Sequence, residues 1–410
     1  MKTLVKTASI LALLVFFSSC EKSDNSNSIV LTDPIDIELN STQTRILQSD
    51  KNFAFDFFSK IFADEDKNFM VSPFSLSMAL SMTWNGAAGA TQTAMKQALG
   101  LGDFSAEEAN EYFKKLRDAL LKTDPSTKIA IANSIWTNKN IAIKSDYLSV
   151  NKSYYSATAE SVDFSDSKTV GQINQWASDN TEGLIDEVLN KTNSNDLIYL
   201  LNAIYFKGIW TSQFDKKNTS KMPFTSENGT SKDVDMMKQT EYFNYGENET
   251  LQAVQLPYGN EAFSMIVLLP QEGKKLQDVI AATQGDNYWE TLQSSMYKTK
   301  VDLFLPKFKT EYNKNLNQIL KDMGMEIIFT QNADFSKISD IPAMISSVDQ
   351  FTYINTDEEG TEAAAVTVVT GVTSVAPSDA MVFKADKPFI YVIQENSTGV
   401  ILFMGVVKSF

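Results

Sequence analysis

The residues that most often carry protein chemistry are nearly absent from this sequence. It contains no histidine and a single cysteine, Cys20. Without histidine the chain can build neither a Ser-His-Asp nor a Cys-His relay, nor a His-ligated metal centre. One thiol supplies neither an internal disulfide nor a thiolate zinc site. No phosphate-binding glycine loop of either common spacing is present. Paired carboxylates remain available for acid–base work, but no pair stands out. The expectation is a non-enzyme with no cofactor and no metal. The net charge of −15 argues against nucleic acid, whose phosphates require lysine and arginine. A short basic run, Lys114-Lys115-Leu116-Arg117, reads as the solvated face of a helix.

Cys20 has a chemistry of its own. Lys2 and Lys6 precede a mostly apolar run from Ser9 to Phe17, and Ser18-Ser19 lead into the cysteine. The run is short for a bilayer span and fits a signal-peptide core. Small residues ahead of a lone cysteine resemble a bacterial lipoprotein cleavage site, although Phe17 stands where leucine is most common. That resemblance implies a signal peptide over 1–19 and a lipidated Cys20. Such an anchor would hold the protein at the bacterial cell envelope, facing the periplasm or the exterior. A plain secretory signal with an incidental cysteine is the alternative. From Glu21 to about Asn40 the chain is polar and rich in Ser, Asn and Asp. Residues 20–44 are therefore expected to form the anchor and a flexible tether.

A second segment is unusual for its lack of charge. Ala363 to Pro377 has no ionisable residue and is built almost wholly from Ala, Val, Thr, Gly and Ser. Such residues favour strands. An ordinary buried strand is the simplest reading, but about fifteen residues exceeds the usual strand length. The flanks also read as loop: Glu358-Glu359-Gly360 before it and Pro377-Ser378-Asp379 after it. A loop with strand chemistry suits a segment that joins a sheet later.

The elements that would position this segment follow from the patterning. Phe53, Phe57, Ile61 and Phe62 recur at helical spacing and predict one buried stripe. Ser72 followed by Pro73 predicts a helix start, with a helix to about Trp84. Another helix is expected over roughly 91–99. Runs of branched and aromatic residues predict strands at 129–137, 197–206, 252–256, 263–269, 300–305, 381–383, 389–393 and 400–407. Helical patterns intervene at 171–179 and 312–323. With no internal repeat and no linker in the body, the expectation is one α+β domain over 45–410.

At this point the sequence resembles the serpin family, from about residue 45 to Phe410. Four stretches carry the resemblance, in the family's order. They are Asn68-Phe69-Met70-Val71-Ser72-Pro73-Phe74-Ser75; Leu201-Asn202-Ala203-Ile204-Tyr205-Phe206-Lys207-Gly208-Ile209-Trp210 with Phe214; the hinge from Glu358 to Ala365; and Phe383-Lys384-Ala385-Asp386-Lys387-Pro388-Phe389. The resemblance implies helices packed on three β-sheets with an exposed reactive-centre loop. It implies a hinge at Glu358, Gly360, Thr361, Ala363, Ala364 and Ala365. Within the loop, Thr361, Ala363, Ala365, Thr367 and Val369 would face inward on insertion, and Val366 interrupts the alanine run. Ser72, Ser75 and Asn202 fall where the sheet must open. Gln350 stands near that point where relatives usually have histidine. Trp210 and Lys307 fall at the breach above the opening point, and Lys307 matches a position that pairs with that of Glu358.

The same resemblance implies a function. Counting fourteen residues on from Gly360 places the bait bond at Ser374–Val375. The chain would then be a suicide substrate for a serine protease. Small, uncharged residues at the cut imply an elastase-like specificity pocket. The expected partners are that protease and, through Cys20, a membrane; the inhibitor itself is expected to be a monomer. A cross-class inhibitor of cysteine proteases and a non-inhibitory serpin remain the alternatives.

Overall fold

The computed structural model describes residues 32–194, 196–285, 287–361 and 380–410. Cys20, the hinge alanines Ala363, Ala364 and Ala365, and the expected bait bond Ser374–Val375 lie outside the described residues. In chain order the elements begin with α1 (Ser41–Asp64), β1 (Phe69–Val71), α2 (Pro73–Trp84), α3 (Gly89–Ala98), α4 (Ala106–Leu120), β2 (Lys128–Asn138), α5 (Ser145–Tyr155), β3 (Thr158–Val162) and α6 (Lys168–Asn180). The middle of the chain supplies β4 (Ile198–Ile209), β5 (Ser220–Thr225), β6 (Ser231–Glu247), β7 (Leu251–Tyr258), β8 (Phe263–Pro270), α7 (Leu276–Thr283) and α8 (Tyr288–Ser295). It ends with β9 (Tyr297–Pro306), β10 (Phe308–Asn315), α9 (Asn317–Leu320), β11 (Asp349–Thr356), β12 (Gly360–Thr361), β13 (Met381–Lys384), β14 (Phe389–Glu395) and β15 (Ile401–Val407).

The α+β class holds, and hydrogen bonding among the described residues joins the strands into two sheets, not three. One has nine strands in the order β1-β15-β14-β8-β7-β6-β9-β13, with β5 also paired to β6. The length of β6 explains the merger. Its residues 236–245 pair with β9, while only Asn244–Glu247 pair with β7. One long strand thus bridges what would otherwise be two separate sheets. The other sheet has six strands in the order β10-β11-β12-β4-β2-β3.

Helix α2 lies between the sheets, in contact with both β4 and β15. Nearly all its residues are buried, including Ser75, Ser77 and Ser81. A helix enclosed on every side needs no polar face, which is why its sequence shows no clear stripe. Ser72 caps it, accepting from the Ser75 amide, and Pro73 occupies its first position. Helix α1 buries Phe53, Phe57 and Ile61 as the periodicity predicts. On the basic run of α4, Lys114 and Lys115 are exposed, but Arg117 is buried and donates to the Tyr154 carbonyl at 2.8 Å.

Two expectations are corrected. The tether does not extend free to residue 44. The Ile37 amide donates to Ser397 Oγ at 2.8 Å, Ile37 is buried, and Asn40 already caps α1 through a reciprocal bond with Gln43. A polar composition concealed one apolar anchor and a capping residue. Nor is 312–323 one helix. Strand β10 runs to Asn315, pairing along its length with β11. A short helix then follows until Gly324, at φ 90°, breaks it.

Candidate insertion site at the head of the six-stranded sheet

Strand β12 is two residues long and lies between β4 and β11. Gly360 pairs opposite Ile209, and Thr361 lies opposite both Gly208 and Thr356. Among the described residues no ladder joins β4 directly to β11. Below β12 an open cleft separates them, lined by Leu76, Leu80, Leu200, Asn202, Gln350 and Phe351.

The approach to β12 is held by a cluster of bonds. The Trp210 amide donates to the Glu359 carbonyl at 2.9 Å, its indole N–H to the Asp357 carbonyl at 2.9 Å, and the Phe214 amide to the Glu358 carbonyl at 3.0 Å. The Glu358 carboxylate accepts from Lys307 Nζ at 2.8 Å and from Thr219 Oγ1 at 2.8 Å. Burial raises the Glu358 pKa, but Lys307, a backbone amide and Thr219 outweigh it and hold the carboxyl below its ordinary range. Lys216 pairs with Glu359, which raises the lysine pKa. Thr361 is buried, its hydroxyl 2.7 Å from the Tyr258 hydroxyl. The Tyr258 ring stacks on Trp210 with centroids 4.4 Å apart. Gly360 is required here by close approach as well as by freedom. At its φ of 154° a Cβ would lie 2.1 Å from the Gly208 carbonyl oxygen.

Lower in the cleft, each flanking strand is tied to the first turn of α2. Gln350 on β11 bonds both backbone groups of Ser72. Asn202 on β4 accepts from Ser75 Oγ and donates to Asn133 Oδ1 at 2.6 Å; Asn133 in turn donates to the Tyr155 carbonyl at 2.8 Å. Ser72 Oγ donates across to Leu402 O of β15 at 2.7 Å. No hydrogen bond joins Gln350 to Asn202 among the described residues.

A sheet held open between two strands, with a two-residue strand already at its head, is a specific arrangement. The chain matches the family described as Serpin (serine protease inhibitor) over residues 48–409. It belongs to the serpin family. A serpin-like protein of Thermococcus kodakarensis is 34% identical, the alignment covering 94% of this chain and 91% of that one. Human Serpin B3 is 32% identical, over 87% of this chain and 97% of its own. Among solved structures, the thermophilic serpin tengpin in its native state superposes with a TM-score of 0.83 at 33% identity, covering 93% of this chain and 98% of that one. Human thyroxine-binding globulin complexed with thyroxine gives 0.81 at 28% identity, over 90% and 99%.

Of the residues singled out in this serpin's sequence, the structure gathers Ser72, Ser75, Asn202 and Gln350 midway along the cleft. It gathers Trp210, Lys307, Glu358, Gly360 and Thr361 at its head. Tyr258, Thr219 and Asn133 join these clusters without having been foreseen. Each comes from a strand, a strand approach or a sheet neighbour distant in sequence. A lone buried Tyr or Asn in a strand pattern gives no local sign of its partner.

Proposed function

We propose that this serpin is a suicide-substrate inhibitor of a serine protease with a small-residue specificity pocket, and that Ser374–Val375 is its bait bond. The observation that carries the reading is β12 itself. It is threaded between β4 and β11 at the point where a cut loop would begin to insert. The protease serine attacks the Ser374 carbonyl carbon, the bond to the Val375 nitrogen breaks, and Val375 leaves as an amine. Residues downstream of Thr361 then extend β12 along the cleft.

The register of β12 defines where the inserted residues would go. Continued residue by residue, it places Thr367 opposite both Asn202 and Gln350, and Gly371 opposite Ile198 at the start of β4. Ser374 would therefore emerge past the end of the sheet. Strand β4 has 12 residues, so the acylated protease travels roughly 40 Å. Thr361 faces the interior, and the alternation of a strand puts Ala363, Ala365, Thr367 and Val369 on the same face. These side chains are small enough for the space over α2. The uncut state is kinetically trapped above the inserted one. Lipidated Cys20 would hold the inhibitor at the bacterial envelope.

The test is a denaturing gel of the chain mixed with an elastase-like protease. A covalent band at the summed mass, with a released peptide beginning at Val375, is expected. Cleavage at that bond without the band would refute trapping.

A further inference from the structure

The hairpin that joins β5 to β6 turns through Ser226-Glu227-Asn228-Gly229-Thr230, and Glu227 to Thr230 are exposed. Thr225 pairs with Ser231 at its base. The Ser226 amide donates to the Thr230 carbonyl at 2.9 Å, and the Gly229 amide to the Ser226 carbonyl at 2.9 Å. Gly229 sits at φ 81°, with open space where a Cβ would point. Asparagine in a turn commonly bonds its own backbone two residues on. Here Asn228 Oδ1 accepts from the Thr230 amide at 2.9 Å. That bond folds the side-chain amide back along the turn, beside the Gly229 nitrogen. Asn228 Nδ2 has no hydrogen-bond partner among the described residues.

We propose that Asn228 is a spontaneous modification site, where the Gly229 nitrogen closes a ring on the side-chain amide and water reopens it to an acid. A solvent hydroxide takes the Gly229 amide proton, and the nitrogen attacks Asn228 Cγ. Proximity within one turn makes this step unimolecular. Negative charge develops on Oδ1, where the Thr230 N–H already points. The Cγ–Nδ2 bond breaks, and Nδ2 leaves as ammonia with a proton from water, which restores the hydroxide. The five-membered succinimide then takes up one water. Attack at Cγ releases the Gly229 nitrogen and leaves aspartate. Attack at the Asn228 backbone carbonyl leaves isoaspartate, with the chain now running through the side chain. Glycine suits the attacking position because no Cβ obstructs the close approach.

The sequence holds one other Asn-Gly pair, Asn85-Gly86, and the fold closes it. Asn85 ends α2 in helical conformation, at φ −56° and ψ −27°. Its side chain donates to Asn110 at 3.0 Å and to Asn151 at 3.4 Å, and accepts from Asn110 at 3.1 Å. Gly86 is buried, and a Cβ on it would lie 2.2 Å from the Ile338 side chain. Ring closure there must break those side-chain bonds and swing packed backbone. At Asn228 the Gly229 amide gives up only its bond to Ser226, at an exposed tip. The product puts a second carboxylate beside Glu227, on a hairpin whose Phe224 packs against Phe410 with ring centroids 4.8 Å apart. The hairpin thus accumulates negative charge as the molecule ages.

The experiment incubates the full folded chain in heavy-oxygen water, at neutral and at mildly alkaline pH, and follows both Asn-Gly pairs by peptide mapping. The heavy oxygen separates modification in the tube from any that preceded purification. Asn228 is expected to become a labelled mixture of aspartate and isoaspartate, faster at the higher pH, while Asn85 keeps its amide. Unfolding in urea should let Asn85 react as well. Thr230→Pro removes the polarising N–H and should slow the reaction at Asn228 roughly fivefold, the worth of one hydrogen bond. Thr230→Ser, which keeps that N–H, should match the wild type. An Asn228 as inert as Asn85 in the folded chain overturns the site. Labelled aspartate with no isoaspartate overturns the ring. An equal rate in Thr230→Pro overturns the role given to the Thr230 amide.

Discussion

Gln350 and Ser72 are joined by two hydrogen bonds: the Ser72 amide donates to Oε1 at 3.0 Å, and Nε2 donates to the Ser72 carbonyl at 2.8 Å. Both residues are buried. Gln350→Ala strands a donor and an acceptor and is expected to cost about 2–4 kcal/mol. The check is a lower urea midpoint with an unchanged slope. Gln350→His tests the same contact by titration. A neutral imidazole can accept from the amide; an imidazolium cannot. Its folded pKa should therefore lie below the unfolded value of about 6.5. Stability relative to wild type is then intact above that value and lost as pH falls through the folded pKa. Parallel pH–stability curves for variant and wild type would rule the contact out as the cause.

Asp50 gives the wild-type protein a pH dependence of the opposite sign. It accepts from the Tyr112 hydroxyl at 3.1 Å. Burial pushes its carboxyl up to about 6, outweighing the bonds from Ser77 and Tyr112 and the charge of Lys51. The folded value exceeds the unfolded one, about 3.9. The contribution is complete below about pH 4 and is lost as pH rises through 6. Asp50→Asn should remove that component. Between pH 4 and 7 its Tm should gain a few degrees on the wild type, measured by thermal melts in matched buffers.

How much of this was legible in the sequence depended on whether a residue's role was local. Ser72-Pro73 announced α2 because a cap and a fixed φ act within one turn. The strands 263–269 and 389–393 were plain because, as buried strands, they are apolar except at Ser264 and the Tyr391 hydroxyl. Strand β6 was missed: it is long and partly exposed, and its alternation of polar and apolar residues breaks at Met236-Met237. The end of strand β10 resembles a helix in sequence because Tyr312 falls at helical spacing from Leu316 and Ile319, which begin the short helix α9. At the site, the pairing of Lys307 with Glu358 came from the family resemblance. Tyr258 could not be seen, because its partners Trp210 and Thr361 meet it only in the folded chain.

Thr361→Arg should convert the inhibitor into a substrate. Thr361 is 2% exposed and faces Tyr258. An arginine there would bury an unpaired charge or force β12 out of the sheet. Expulsion removes the head start of insertion, so water reaches the acyl-enzyme first. The expected result is the same cut at Ser374–Val375 with most of the covalent band replaced by cleaved inhibitor. An undiminished covalent band would show that insertion does not begin at β12.

Thr367→Arg tests the middle of the same path. The register set by Gly360 and Thr361 brings position 367 between Asn202 and Gln350, over the Ser72–Ser75 turn of α2. An arginine there would carry a charge in between two amide side chains, Asn202 and Gln350, with no carboxylate opposite it in either register position. Insertion of the variant is expected to stop at mid-sheet. A loop cut without a trapped protease separates this effect from docking. Cut wild-type protein should melt well above the uncut form, because a full strand has been added and its apolar side chains buried. Cut Thr367→Arg should show little of that rise, whereas Thr367→Ala should show nearly all of it. Equal melting temperatures for the cut wild type and cut Thr367→Arg would mean that position 367 never enters between Asn202 and Gln350. The register continued from β12 would then be wrong.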